Sequence, residues 1–258
     1  MGQFNLMAEQ LELLFARVRE AEKARIHVLQ DIGHDLRTPL SSLLNLFDVL
    51  RGKFDSLGDA EKKAFLTTGW GEVKYTQRLV EDLLFLARVE DPTCSTRDEV
   101  FDLTERMLAD LAAFEATSGL PIERKIPEGV TVRADKQLLA RLLRNAFGNA
   151  LSYAAEGISI SLEVAGDTVR ICVEDDGPGF SEEALRTFGK KRPTRLVHDR
   201  SGSRASLGLG SVIMAAIARR YEGTLEPSNR LREGKVIGGR ITVSLRISAS
   251  IVRQSRAA

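Results

Sequence analysis

His34 sits on a stretch with helical spacing, beside Asp35 and one turn before Thr38. Neutral imidazole, with an ordinary pKa of about 6.5, is a competent nucleophile and phosphoryl acceptor near pH 7. An adjacent carboxylate can hold its tautomer and take the other ring proton. Neighbouring helical residues point about 100° apart, so Asp35 would reach His34 from the side. A lone histidine on a helix is more often structural, and the pair gains meaning only from three further groups downstream in the chain. Asn145 and Asn149 stand at i and i+4, so both carboxamides emerge from one helix face. Mg²⁺ takes hard oxygen ligands, keeps waters and is commonly shared with substrate phosphates, and neutral carboxamides offer oxygen without repelling them. Asp175-Asp176-Gly177-Pro178-Gly179-Phe180 comes after an apolar strand, with glycines that let backbone approach a ligand closely. Taken alone it is an ordinary Asp-Gly turn. Gly208-Leu209-Gly210 opens an apolar helix, where free N–H groups and the dipole favour phosphate oxygens. Residues 189 to 204 before it carry Lys190, Lys191, Arg192, Arg195, Arg200 and Arg204 against the single acid Asp199.

These groups need elements to hold them. In the first part of the chain Met7, Leu11, Leu14, Val18 and Ala21 recur at alternating spacings of four and three, a coiled-coil seam that Val28 and Ile32 continue after Arg25 interrupts it. The pattern predicts one helix through His34 to about Arg51, a break over Gly52 to Gly58, an Asp59 cap, and a second helix to about Glu90. Leu66, Val73, Val80, Leu83 and Ala87 give the second helix a near-heptad stripe. Two helices bury such stripes poorly alone, and a dimeric four-helix bundle is the natural solution. Pro39 marks a kink or local bend.

After Asp91-Pro92-Thr93 the texture changes to mixed strand and helix. Strands are expected at Ile122–Ile126, Val130–Ala134, Ile158–Val164, Val169–Glu174 and Ile241–Ile247, with a tight turn at Gly166-Asp167. Helices are expected at 101–117, Lys136–Ala154, Glu182–Phe188 and Gly208–Tyr221, with Asp135 as a cap. The fold class is therefore α plus α+β: a helical hairpin followed by an α/β sandwich rather than a doubly wound sheet. A formal net charge of +1 over 258 residues gives no bulk pull toward nucleic acid or acidic membrane. Cys94 and Cys172 lie far apart and make no metal-ligand spacing. No apolar run approaches the ~20 residues that cross a bilayer.

In this order the motifs resemble the kinase core of bacterial two-component sensor histidine kinases. Asp31-Ile32-Gly33-His34-Asp35-Leu36-Arg37-Thr38-Pro39-Leu40 is similar to their phosphoacceptor box, and Arg144 to Ala150 to their asparagine box. Asp175 to Gly179 and Ser206 to Gly210 are similar to their two glycine boxes. The resemblance implies a homodimer with residues 23–95 as dimerisation and phosphotransfer domain, 96–250 as a Bergerat-type ATP-binding domain, and 251–258 as a tail. It implies His34 as phosphoacceptor, Asp35 as general base and Thr38 as the residue that positions water for dephosphorylating a partner. It implies an ATP site made of Asn145, Asn149, Tyr153, Asp175, Gly177, Gly179, Lys190, Lys191, Arg192, Gly208, Leu209 and Gly210. Asp175 would meet the adenine amino group, Asn145 and Asn149 would hold Mg²⁺, and the basic segment would be a lid. The implied partner is a response-regulator receiver domain. Phe4-Asn5-Leu6-Met7-Ala8 with Leu11 resembles the end of a HAMP-like signal-relay helix over residues 1–22, which implies the cytoplasmic portion of an inner-membrane protein. Two departures are Ser152, where the family often has lysine, and Ser206, where it has glycine. They leave open a response-regulator phosphatase or a non-catalytic relay built on the same fold.

Overall fold

The computed structural model describes residues 33, 36–91, 93–190, 195–199, 202–206 and 209–251. It divides into two compact units between Glu81 and Asp82. The N-terminal coiled-coil seam, the relay-like segment, His34 and Asp35 lie outside the described residues.

In the first unit, α1 (residues 36–53) runs past Pro39, a 3₁₀ turn covers Phe54–Ser56, and α2 begins at Asp59 and extends to Glu90. The cap differs from expectation by one residue. Gly58 precedes the helix, and the Glu61 carboxylate reaches back to accept its N–H at 2.9 Å, half of a capping box. Asp59 instead sits in the first turn, where its charge meets the positive helix end. α1 and α2 run antiparallel: Ser42 Oγ donates to Glu72 at 3.5 Å. A Cβ at Gly69 would lie 3.9 and 4.0 Å from Leu43 and Leu46. The hairpin leaves much of its apolar surface in water. Leu44, Phe47, Leu66 and Trp70 are 65, 62, 65 and 63% exposed, with Val73 and Val80 also exposed. That stripe includes three of the predicted seam positions, and a single hairpin offers them nothing to pack against.

The second unit starts with the last turns of α2. Arg141 pairs with Asp82 and lies over the Phe85 ring at 5.5 Å, while Leu86 and Val89 enter the core. Arg219 bonds Glu90 at 3.3 Å, and Arg220 donates to the carbonyls of Asp91 and Cys94. β1 (Asp98–Asp102) then precedes α3 (Leu103–Ser118). The sequence pattern predicts helix from 101, but Phe101 and Asp102 are taken by the pairing with β3, and the Asp102 side chain caps α3 at Glu105 N–H. Gly119, at φ 67°, ends α3 in the left-handed conformation.

β2 (Ile122–Lys125), β3 (Val130–Asp135), α4 (Lys136–Tyr153), β4 (Ile158–Ala165), β5 (Thr168–Asp175) and α5 (Glu182–Thr187) follow. A two-stranded hairpin, β6 (Arg195–Asp199) with β7 (Gly202–Ser206), occupies the basic segment that reads as loop in the sequence. α6 (Leu209–Arg220), β8 (Thr224–Arg232), β9 (Lys235–Arg246) and β10 (Ala249–Ile251) complete the described chain. The main sheet has the order β2-β4-β5-β9-β8, antiparallel except for the parallel β2–β4 pair. Strand alternation puts Leu162, Ile171 and Val243 in one cross-strand row and Ile160, Val173 and Ile241 in the next, all buried. α4 presses Leu139, Leu142, Leu143, Ala146 and Phe147 onto this face, and α6 adds Ile213, Met214 and Ile217. A second, three-stranded sheet has the order β1-β3-β10.

Candidate nucleotide-binding site

α4 owes its placement to its N-terminus. Asp135 accepts from the N–H groups of Gln137 and Leu138, as a cap should. The Asp135 N–H in turn donates to Tyr221 Oη at 2.8 Å, which ties the end of α6 to the start of α4. With its leucines turned to the sheet, α4 carries Asn145 and Asn149 one turn apart, both half-buried beside that face. Asn145 Nδ2 donates to the Arg141 carbonyl at 2.9 Å. Asn149 Nδ2 is buried and has no hydrogen-bond partner among the described residues. A buried amide without a partner costs about 1–3 kcal/mol and calls for an explanation. A polar ligand is one, because either end of the carboxamide can be turned to meet it.

Asp175 ends β5 and is 5% exposed. Its Oδ1 accepts from Gly177 N–H at 2.9 Å and Gly239 N–H at 3.1 Å. No donor among the described residues reaches Oδ2. A side chain at Gly239 would stand 2.8 Å from that oxygen, so glycine there keeps the space beside Oδ2 clear. Behind the loop, Arg230 donates to the Asp175 carbonyl at 3.0 Å and pairs with Glu174, which Arg240 also reaches at 2.6 Å. Asn229 and Phe180 exchange two hydrogen bonds, Phe180 N–H to Oδ1 at 2.6 Å and Nδ2 to the Phe180 carbonyl at 2.8 Å.

Glycines draw the three predicted motifs together. A Cβ at Gly177 would fall 2.2 Å from the Tyr153 carbonyl oxygen, so the Asp175 loop rests directly on the end of α4. Gly179, at φ +73°, faces Val236 and Asn229 of the β8–β9 hairpin. A Cβ at Gly210 would approach Asn145 Oδ1 to 3.0 Å, so the first turn of α6 lies against the asparagine face. Leu209 beside it is buried, and the Tyr153 side chain is 41% exposed. Phe188 packs edge-on against Phe180, centroids 5.3 Å apart, just before the basic segment. Ser152, in place of lysine, turns its hydroxyl back to the Gly148 carbonyl at 2.8 Å. Lys190 is exposed and Thr38 lies on an exposed face of α1. Lys191, Arg192 and Gly208 lie outside the described residues.

The site also uses residues that carry no motif of their own. Gly238 and Gly239 hold the Asp175 loop from β9, and a Cβ at Gly238 would fall 1.9 Å from the Asp175 carbonyl. A glycine doublet inside a strand is a signal of close backbone approach that could have singled them out. Arg230 and Asn229 had no such signal.

Asp175 is a buried acceptor at the end of β5, Asn149 Nδ2 is unpartnered among the described residues, and the first turn of α6 lies against Asn145, groups suited to an adenine nucleotide and its phosphates. Residues 134–249 match the family described as histidine kinase-, DNA gyrase B-, and HSP90-like ATPase. Residues 24–92 match the His kinase A (phospho-acceptor) domain. Among curated proteins, the chain is 27% identical over 230 residues to the histidine protein kinase DivJ of Caulobacter vibrioides, covering 86% of this chain and 38% of that one. It is 30% identical over 225 residues to the sensor protein RstB of Escherichia coli, covering 86% and 48%. The chain thus spans half or less of the length of these relatives. In fold it is similar to the histidine kinase AdeS of Acinetobacter baumannii, with a TM-score of 0.62 and 23% identity over 83% of this chain and 98% of that one. ShkA, solved full-length in complex with AMPPNP, gives a TM-score of 0.60 at 21% identity over 85% and 45%. The class is thus an ATPase domain joined to a phospho-acceptor domain. The chain belongs to the two-component sensor histidine kinases and carries their kinase core.

Proposed function

We propose that the chain autophosphorylates His34 from ATP and passes the phosphoryl group to an aspartate of a response-regulator receiver domain. The observation that carries this reading is that His34 lies within the phospho-acceptor match while the same chain goes on to an ATPase domain with an intact base-recognition aspartate. Residues 23–95 serve as dimerisation and phosphotransfer domain, and 96–250 as ATP-binding domain. The exposed stripe of Leu44, Phe47, Leu66 and Trp70 supports a second copy completing a four-helix bundle. By analogy with the named relatives, the chain works as the cytoplasmic part of a membrane sensor, although no helix among the described residues is long and apolar enough to cross a membrane.

In the reaction, Asp175 Oδ2 accepts from the adenine amino group and fixes the base. Asn145 and Asn149 turn carboxamide oxygens toward the phosphates. Those two oxygens would hold Mg²⁺, which would supply charge neutralisation for the transfer. The N–H groups of Leu209 and Gly210, which open α6, hold the triphosphate, and the family resemblance gives Gly208, Lys190, Lys191 and Arg192 the same duty. The imidazole nitrogen of His34 forms the new N–P bond as the bond to the ADP oxygen breaks, and Asp35 takes the other ring proton. Positioning and electrostatics do most of the work in such a transfer. Thr38 then orients water for hydrolysis of the phosphorylated partner.

The test is a chase with a receiver domain. Phosphorylated wild type should lose its label to the receiver. Thr38→Ala should retain labelling and transfer but release inorganic phosphate from the receiver more slowly. Ser152 keeps the phosphatase or relay reading in view, since its hydroxyl is turned into α4 where a lysine would reach outward. ATP binding without any label on His34 would favour that second reading.

A further inference from the structure

Asp176 comes directly after the adenine-recognising residue, and the chemistry above gives it no role. Its carboxylate meets the connection from α4 to β4. Oδ1 accepts from Ala155 N–H at 2.8 Å and Glu156 N–H at 3.1 Å, and Oδ2 from Glu156 N–H at 2.9 Å and Gly157 N–H at 3.2 Å. Three consecutive backbone donors thus converge on one side chain. Burial pushes the Asp176 carboxyl up, but the bonds from Ala155, Gly157 and Glu156 outweigh it and hold the group below its usual 3.8. The connection they close leaves α4 one turn after Asn149, with Ala154 N–H still bonded to the Ala150 carbonyl at 2.8 Å. On the other side, Gly177 leaves no room for a side chain against the Tyr153 carbonyl.

Resting on the ATP-site reading, we propose that Asp176 is a positioning residue that sets the distance between the two ends of the nucleotide site. Asp175 at one end reads the base, and Asn145 and Asn149 at the other serve the phosphates and their metal. The α4–β4 connection is the covalent path from the second end to the sheet, and Asp176 locks it to the loop that carries the first. A ligand that touches only the base end is indifferent to this distance. ATP with Mg²⁺ must satisfy both ends at once, so its affinity depends on the lock.

The experiment compares binding of ATP·Mg²⁺ and of adenosine by calorimetry to the whole chain and to Asp176→Ala, Asp176→Asn and Asp175→Asn, with thermal unfolding of each. Asp176→Ala is expected to weaken ATP·Mg²⁺ about tenfold more than adenosine, the size of losing charge-assisted hydrogen bonds that hold a site. Asp176→Asn keeps one acceptor oxygen and folds with less disturbance, so it should fall between wild type and alanine in the same ratio. An equal loss for both ligands in either variant would mean a merely structural role and overturn the inference, as would unchanged affinity for both. Asp175→Asn separates this from failure of the site itself. If it binds both ligands like wild type, or if wild type binds no ATP·Mg²⁺, the nucleotide-site reading falls and the inference falls with it.

Discussion

Asp175→Asn should separate nucleotide recognition from folding, because the two carboxylate oxygens have different duties. Oδ1 accepts the Gly177 and Gly239 N–H groups at 2.9 and 3.1 Å, and an asparagine oxygen in the same place can keep both bonds. The amide nitrogen then replaces Oδ2, the oxygen that the proposed site gives to the base. A donor would face the adenine amino group, which is itself a donor. Losing a hydrogen bond to a charged acceptor costs about 1.5–3 kcal/mol, or roughly 10- to 100-fold in Kd. The variant should therefore bind ATP·Mg²⁺ about 10- to 100-fold more weakly while its Tm stays within a few degrees of wild type. Asp175→Ala provides the contrast. It leaves the N–H groups of Gly177 and Gly239 without their acceptor, at about 1–3 kcal/mol for each buried donor, and should lower Tm by several degrees as well. Calorimetric titration with ATP·Mg²⁺ alongside thermal unfolding reads both quantities. Wild-type affinity in Asp175→Asn would refute the division of labour between the oxygens, and so would a Tm loss as large as that of the alanine variant.

Gly177→Ala places a Cβ 2.2 Å from the Tyr153 carbonyl, so the Asp175 loop and α4 must part by about an ångström, a strain of about 1–3 kcal/mol that should appear in both Tm and ATP affinity. Asn149→Leu removes a buried amide nitrogen that has no partner among the described residues, so the nucleotide-free protein should be as stable as wild type or more so, while Mg²⁺-dependent ATP binding is lost. A variant that loses stability but keeps ATP binding would contradict the role given to Asn149. Burial pushes the Tyr221 hydroxyl up from 10.0 to about 12, against the bond it accepts from Asp135 N–H. Its folded value lies above its unfolded one, so its contribution to stability is complete below pH 10.0 and lost as pH climbs toward about 12. Absorbance titration should find Tyr221 ionising late, and Tyr221→Phe should abolish that late phase.

The elements that were legible in the sequence were those whose pattern is local. Ile158 to Val164 and Val169 to Glu174 alternate strictly around a Gly166 turn, and the structure pairs them as β4 and β5 with Ala165 opposite Thr168. Asp135, Lys136 and the leucines behind them announced α4 and its cap. β1 was not legible, because Asp98-Glu99-Val100-Phe101-Asp102 becomes a strand only through its pairing with β3, over thirty residues away in sequence. β8 was hidden for a similar reason: Thr224 to Arg232 has few apolar residues, and its order comes from the long ladder with β9. The site divides in the same way. Asn145, Asn149, Asp175 and Gly210 stood out because each carries its own short motif. Gly238, Gly239 and Arg230 act on Asp175 across the fold, and Asn229 on Phe180; only the glycine doublet leaves a local trace, while nothing near Asn229 or Arg230 in sequence reveals their contacts.

We propose above all that the ATP domain of this chain serves His34, which lies within the phospho-acceptor match. Incubation with γ-labelled ATP and Mg²⁺, wild type beside His34→Ala, tests it most directly. The account predicts label on wild type that is lost in acid and stable in base, as a phosphorus–nitrogen bond requires, and none on His34→Ala, which should still bind ATP. Undiminished label on His34→Ala, or acid-stable label on wild type, would contradict it.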